Sequence, residues 1–118
     1  MDGKLRDKKE QFKGGKMKHL VLIIHANLKR DVADLLRSIG NVDGFTLTNI
    51  EGHDAQSEND PFLSTRDKVV GYTPRMRVDL LLGDTHVAGV LAALRKSDIG
   101  LTTHSVYWVT NVEEYGKL

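Results

Sequence analysis

An α+β fold is predicted for this chain, with a four-stranded antiparallel sheet covered on one face by two helices. Three observations predict it. The first strand-like segment, HLVLIIH at residues 19–25, is apolar on both of its alternating faces, the pattern of a strand covered on both sides. The succession strand, helix, strand occurs twice. Between the two occurrences lies a polar stretch, HDAQSENDPFLSTRDKVVGYT at residues 53–73, far longer than the roughly 2 to 5 residues of a hairpin loop. A connection of that length in so small a domain is either a functional loop or a disordered one.

The elements follow in order. Residues 19–25 form a central strand. Asn27 then stands at a helix N-cap position, and Leu28, Val32, Leu35, Leu36 and Ile39 recur at helical spacing up to Gly40, the expected stop. After Gly44, Phe45, Leu47 and Asn49 alternate with Thr46, Thr48 and Ile50 in a second strand that runs into the long loop. Beyond the loop, Pro74 fits a strand entry, where its missing N–H does no harm. Met76, Val78, Leu80 and Leu82 make one apolar face of the third strand, and Arg77 and Asp79 project from the other. Asp84 is placed to cap the second helix, whose buried stripe is Val87, Val90, Leu91 and Leu94. Gly89 weakens that helix slightly and suits a close approach to the sheet. Residues 105–109 form the last strand, followed by an acidic tail with Glu113, Glu114 and Tyr115. This split βαβ arrangement is the ferredoxin-like βαββαβ sandwich. No helix covers its other sheet face. Because the first strand is apolar on both sides and Tyr107 and Trp108 point in opposite directions, that face is expected to meet another subunit.

At 118 residues and 40% apolar, the chain is a single domain large enough to bury a core without metal or disulfide staples. It lacks cysteine, which removes disulfides, thiolate metal sites and cysteine nucleophiles from consideration. The apolar run at residues 20–24 is too short for a signal peptide and far below the roughly 20 residues of a membrane helix. A soluble, cytoplasmic protein without membrane insertion is expected. The net charge of +1 hides an asymmetry, because residues 1–18 carry seven Lys or Arg against three Asp or Glu, and the remainder ten against thirteen. A nucleic-acid arm is one reading of such a tail. The other is that KGGKM at residues 13–17 is a purine-rich ribosome-binding site translated by mistake ahead of an ATG, and it is the better supported. Residues 1–16 are then a disordered basic tail absent from the native protein, Met17 is the start, residues 17–118 are the domain, and no nucleic acid is a partner.

Five histidines invite a metal reading. His19 and His25 share a face of the first strand but lie at its two ends, too far apart to hold one ion. His53 and Asp54 are adjacent where the loop begins, and would take a divalent ion if a third ligand arrived from the loop or another subunit; otherwise they are a solvated turn. His86 and His104 are expected at the surface. No nucleophile with an evident base, no Gly-rich phosphate loop and no zinc-hydrolase spacing occurs. Carboxylates with Arg75 or Arg77 could in principle do acid–base work, but a fold alone licenses no activity. Arg66, Asp67 and Lys68 stand beside Val69 and Val70, the composition of a segment that orders on binding a partner, or of a solvated loop.

From Phe45 onward the chain resembles the PII-like signal proteins, of which the nitrogen regulatory proteins are members. DKVVGYTPRMRVDLLL at residues 67–82 is similar to the stretch that closes their long T-loop and enters the third strand, with Pro74 placed as in the family. SVYWVTNVEE at residues 105–114 is similar to their last strand and the Val-Glu-Glu after it. Gly52 and Gln56 match the glycine-to-glutamine stretch leading into that loop. The likeness covers residues 18–114 and is nearest to the small, uncharacterised PII-like families of proteobacteria. It implies a homotrimer with its helices outside and effector sites between subunits beside the T-loop base. There are departures. The family holds ATP or ADP with a Gly-rich turn and a basic C-terminal segment, whereas here the turn is KSDIGLTTH at residues 96–104 and the sequence reads on only to Leu118. ATP is expected to bind weakly or not at all, and uridylylation is not expected.

The resulting expectation is a non-catalytic, homotrimeric PII-like regulator whose T-loop, residues 53–73, responds to a small effector or contacts a partner, such as a transporter or an enzyme. His53, Asp54, Gln56 and Tyr72 are the expected effector-binding residues, and Arg66, Asp67 and Lys68 the partner-binding ones. The sequence specifies no cofactor. One alternative is a divalent-metal-binding protein similar to the CutA ion-tolerance family, using His53 and Asp54. Another is a small ferredoxin-like enzyme, usually dimeric, with its site in the sheet cleft.

Overall fold

A computed structural model of the chain describes residues 16–53, 72–101 and 104–118. Strand β1 (Met17–His25) leads through a single 3-10 turn (Ala26–Leu28) into helix α1 (Lys29–Ser38). Strand β2 (Thr46–Gly52), the long connection, strand β3 (Thr73–Gly83), helix α2 (Asp84–Lys96) and strand β4 (Val106–Val112) follow. The strand order is β2-β3-β1-β4, with every neighbouring pair antiparallel. This is the predicted ferredoxin-like βαββαβ sandwich. The basic tail through residue 15 and the connection at residues 54–71 lie outside the described residues. No described helix is long and apolar enough to cross a membrane.

The apolar alternation sets the register. Leu20, Leu22 and Ile24 of β1 pair with Leu80, Val78 and Met76 of β3, and all six face the helices. Val32 and Leu36 of α1 and Val90 and Leu94 of α2 close over them. Each such burial contributes about 1.5–3 kcal/mol, so this layer dominates the stability of the fold.

Several details differ from expectation. The cap of the first helical segment is His25, not Asn27: its Nδ1 accepts the Asn27 backbone N–H at 3.2 Å. Helix α1 ends when Ile39 turns extended, so Gly40 makes no left-handed stop; among the described residues only Gly100 has a positive φ, 86°. Gly83 rather than Asp84 is the N-cap of α2. The Asp84 N–H instead donates to the Lys16 carbonyl at 2.8 Å and fixes the helix start to the beginning of β1. Gly89 is exposed, with nothing within 4 Å of where a Cβ would stand, so it permits no approach to the sheet. Strand β4 runs three residues further, because Thr110, Asn111 and Val112 stay paired with His19, Lys18 and Met17. Thr73 belongs to β3, which shortens the connection to residues 53–72.

The sheet face without helices is closed in its middle by its own side chains. Arg77 donates from Nε to Asp79 Oδ1 at 2.9 Å and from Nη2 to Asp79 Oδ2 at 3.0 Å. His19 Nε2 lies 2.7 Å from the same Oδ2. The guanidinium of Arg77 also sits 5.8 Å from the Trp108 ring centroid. Arg77 is on β3 and Trp108 on β4, so this contact crosses β1 and covers Val21, which is fully buried. The hydrogen bonds from Arg77 hold the Asp79 carboxyl below its usual range, burial works against them, and His19 adds to them.

Candidate functional site

The base of the long connection gathers the polar groups that this fold buries. The β2–β3 register sets Gly52 opposite Thr73 and Ile50 opposite Arg75, and β1 sets His25 opposite Arg75. All of these lie on the helix-free face, at the end where the connection leaves. Thr73, Arg75 and His25 are only 0%, 3% and 4% exposed.

Arg75 is buried because its stem lies along the backbone of β2. A Cβ on Gly52 would sit 2.9 Å from Arg75 Cγ, so only glycine leaves the stem its place. Arg75 Nη1 donates to the His104 carbonyl at 3.2 Å, which ties β3 to the turn ahead of β4. Thr73 Oγ1 has no hydrogen-bond partner among the described residues. A buried hydroxyl in that condition costs about 1–3 kcal/mol. A cost of that size calls for a bond supplied from outside the described residues, by a neighbouring segment, a water or a ligand.

Above these groups stand two of the sequence-predicted residues. His53 is exposed, its Nε2 3.1 Å from Glu51 Oε2, and its ring lies 6.1 Å from that of Tyr72. The structure therefore brings His53 and Tyr72 together. Asp54 and Gln56, and the partner-binding Arg66, Asp67 and Lys68, lie outside the described residues. No three His, Cys, Asp or Glu side chains converge to hold a metal ion among the described residues. His19 and His25 are separately engaged, with Asp79 and with the Asn27 N–H. Sequence reasoning did not gather Arg75, Thr73, His25 and Glu51 at this end of the sheet. The available signal was parity: Thr73 and Arg75 share the face opposite Met76 and Val78, at the strand end nearest the loop.

A second concavity, of about 530 Å³, lies between the C-terminal turn of α2 and the start of β4. Leu22, Ile24, Leu91, Leu94, Leu101 and Val106 line it, with Arg95, Asp98 and Tyr107 among its polar groups. Arg95 Nη2 donates to the Tyr107 hydroxyl at 3.2 Å, and its guanidinium lies 5.6 Å from the Tyr107 ring centroid.

Known proteins share this architecture. A nitrogen regulatory protein P-II from Rhizobium leguminosarum bv. viciae is 30% identical over 94 residues, covering 77% of this chain and 85% of the relative. One from Mesorhizobium japonicum is 28% identical over 99 residues, covering 83% and 88%. Among solved structures, a DUF3240 family protein from Shewanella baltica OS155 is similar with a TM-score of 0.65 and 22% identity, over 87% of this chain and 97% of that one. The PII-like protein CPII from Thiomonas intermedia K12, bound to ADP, AMP and bicarbonate, has a TM-score of 0.61 and 16% identity, over 86% and 96%. Residues 14–118 match the DUF3240 family, described as a protein of unknown function. With that match across nearly the whole domain and a sheet, helix layer and long β2–β3 connection of the PII kind, the chain belongs to the DUF3240 family of PII-like proteins.

Proposed function

We propose that the chain is a non-catalytic regulatory protein of the PII-like type, a homotrimer that senses a small effector at the base of the 53–73 connection. Its effector state is passed to a partner protein, a transporter or an enzyme, through Arg66, Asp67 and Lys68. The observation that carries this reading is the buried group of Arg75, Thr73 and His25 beneath His53 and Tyr72. A guanidinium in a poorly hydrated setting attracts an anion more strongly than one in water, and its hydrogen bonds to an anion are charge-assisted. The Thr73 hydroxyl adds a donor. A small anionic effector, or the anionic end of a larger one, is the ligand this chemistry suits. The bicarbonate, ADP and AMP held by the Thiomonas protein belong to that class.

A triphosphate is served less well. Phosphate cradles rely on successive backbone N–H groups in a Gly-rich turn. Here Gly100 is the turn's one glycine, and Asp98 stands on the wall of the adjoining cleft.

Calorimetry with bicarbonate, AMP, ADP, ATP and zinc tests the reading. Binding of an anionic ligand that weakens in Thr73→Val and is lost in Arg75→Gln, with the fold retained by circular dichroism, is the expected result. Tight ATP binding unchanged in both variants would move the effector site away from the loop base. The Glu51–His53 pair favours one second reading, a divalent-metal site completed by Asp54. Zinc binding abolished by His53→Ala would put that reading first.

A further inference from the structure

Arg77, Asp79 and Trp108 close the middle of the helix-free face, but towards the end of the sheet away from the 53–72 connection that face opens into a concavity of about 660 Å³. The volume lies within the roughly 300–1,000 Å³ of small-molecule sites. All four strands reach it. Met17 pairs with Val112 and His19 with Leu81, so these four side chains share the face and set a histidine beside three apolar groups. Leu81 is 42% exposed, an apolar side chain left open to water on the lining of a concavity.

The polar lining supplies acceptors and one cation. Asp79 is already bound by Nε and Nη2 of Arg77. A carboxylate only accepts hydrogen bonds, so the 2.7 Å contact with His19 Nε2 places the proton of a neutral ring on Nε2 and leaves Nδ1 as an acceptor. That Nδ1 has no partner among the described residues. Asp43, from the loop ahead of β2, and Lys117, from the segment after β4, also line the concavity. Both are exposed, and neither has an ion-pair partner among the described residues, the other included. Strands β2 and β4 are the two outer strands, so charges of opposite sign are brought to one concavity by segments that adjoin opposite edges of the sheet.

We propose that this concavity binds a small zwitterion whose ammonium and carboxylate are joined through an apolar body, the chemistry shared by a free apolar amino acid and a short apolar peptide. The Asp43 carboxylate and His19 Nδ1 accept from the ammonium, Lys117 pairs with the carboxylate, and Met17, Leu81 and Val112 seat the body. A ligand of one sign fits the lining less well. A simple anion meets Asp43 and Asp79 as like charges, and a simple cation meets Lys117. An uncharged apolar molecule leaves Asp43 and Lys117 without partners. The site is separate from the anion site proposed at the loop base, because the two lie at opposite ends of the sheet.

Calorimetry of the full chain with L-leucine and L-leucyl-L-leucine, each also as its N-acetyl and its amide form, tests the site. At least one uncapped probe should bind, and the tighter of the two identifies the source as amino acid or peptide. Asp43→Asn should weaken that probe by about fivefold, as for an ion pair open to water, and leave its N-acetyl form unchanged. Lys117→Met should weaken it by a similar factor and leave its amide form unchanged. Leu81→Ser should weaken every form, because the apolar seat meets the body and not the ends. Absence of binding by both uncapped probes at millimolar concentration overturns the proposal, as does binding unchanged in Asp43→Asn and Lys117→Met with the fold retained by circular dichroism. Binding lost in Arg75→Gln but not in these variants belongs to the loop base and also overturns it. Anion binding that depends on Arg75 while this site fails leaves the proposed function standing.

Discussion

Gly52 lacks a side chain because Arg75 occupies the space that one would need. A Cβ at this position would meet Arg75 Cγ at 2.9 Å, near the root of a buried side chain, where the neighbour has little room to give. Gly52→Ala is expected to cost about 1–3 kcal/mol, the range of overpacking, as measured by urea denaturation, and on the proposed function to weaken anion binding by displacing the guanidinium. Asp79 carries a different kind of contribution. Its folded carboxyl titrates below the ordinary value of 3.8, so the stability it adds is present above that value and is lost as the pH falls through the folded one. Asp79→Asn should remove this dependence. Comparing urea midpoints at about pH 6 and about pH 3, the variant should lose less than the parent on acidification.

The secondary structure elements were legible where one period dominates. The double apolar face of residues 19–25 announces a central strand, and the Val32, Leu36 and Val90, Leu94 spacings announce the helices, because burial selects those positions directly. The ends of elements were less so. Asn27 has the right chemistry for a cap, but the buried His25 imidazole arrives first through the bend of the chain. The last strand extends past Val109 because β1 offers Met17, Lys18 and His19 as partners, a pairing no local pattern reveals. The packing role expected of Gly89 is removed by its exposure. In helix α2, with nothing within 4 Å of an added Cβ, Gly89→Ala should therefore stabilise by about 0.4–1 kcal/mol, read as a raised thermal midpoint.

At the scale of the whole molecule, the closeness of His53 and Tyr72 was readable because the length of the loop points to its two ends. Arg75, Thr73 and His25 were not, because they converge only through the pairing of three strands. The helix-free face also changes its meaning. Val21 is already covered within one chain by Arg77 and Trp108, while Ile23 is only half-buried. A charge at Val21 would damage the fold itself; a charge at Ile23 is the cleaner probe of assembly. On the proposed homotrimeric reading, Ile23→Asp should give a folded monomer, as judged by light scattering together with an unchanged far-ultraviolet circular dichroism spectrum.

Trp108 is the one tryptophan in the chain. It lies on β4, an edge strand of the sheet, with a cation 5.8 Å from its ring and 42% of its surface open to water. The protein therefore carries its own optical reporter. Light emitted by the indole shifts to shorter wavelength as water is withdrawn from it, so the colour of the protein's native fluorescence follows, without any label, any event that covers or uncovers the β4 edge.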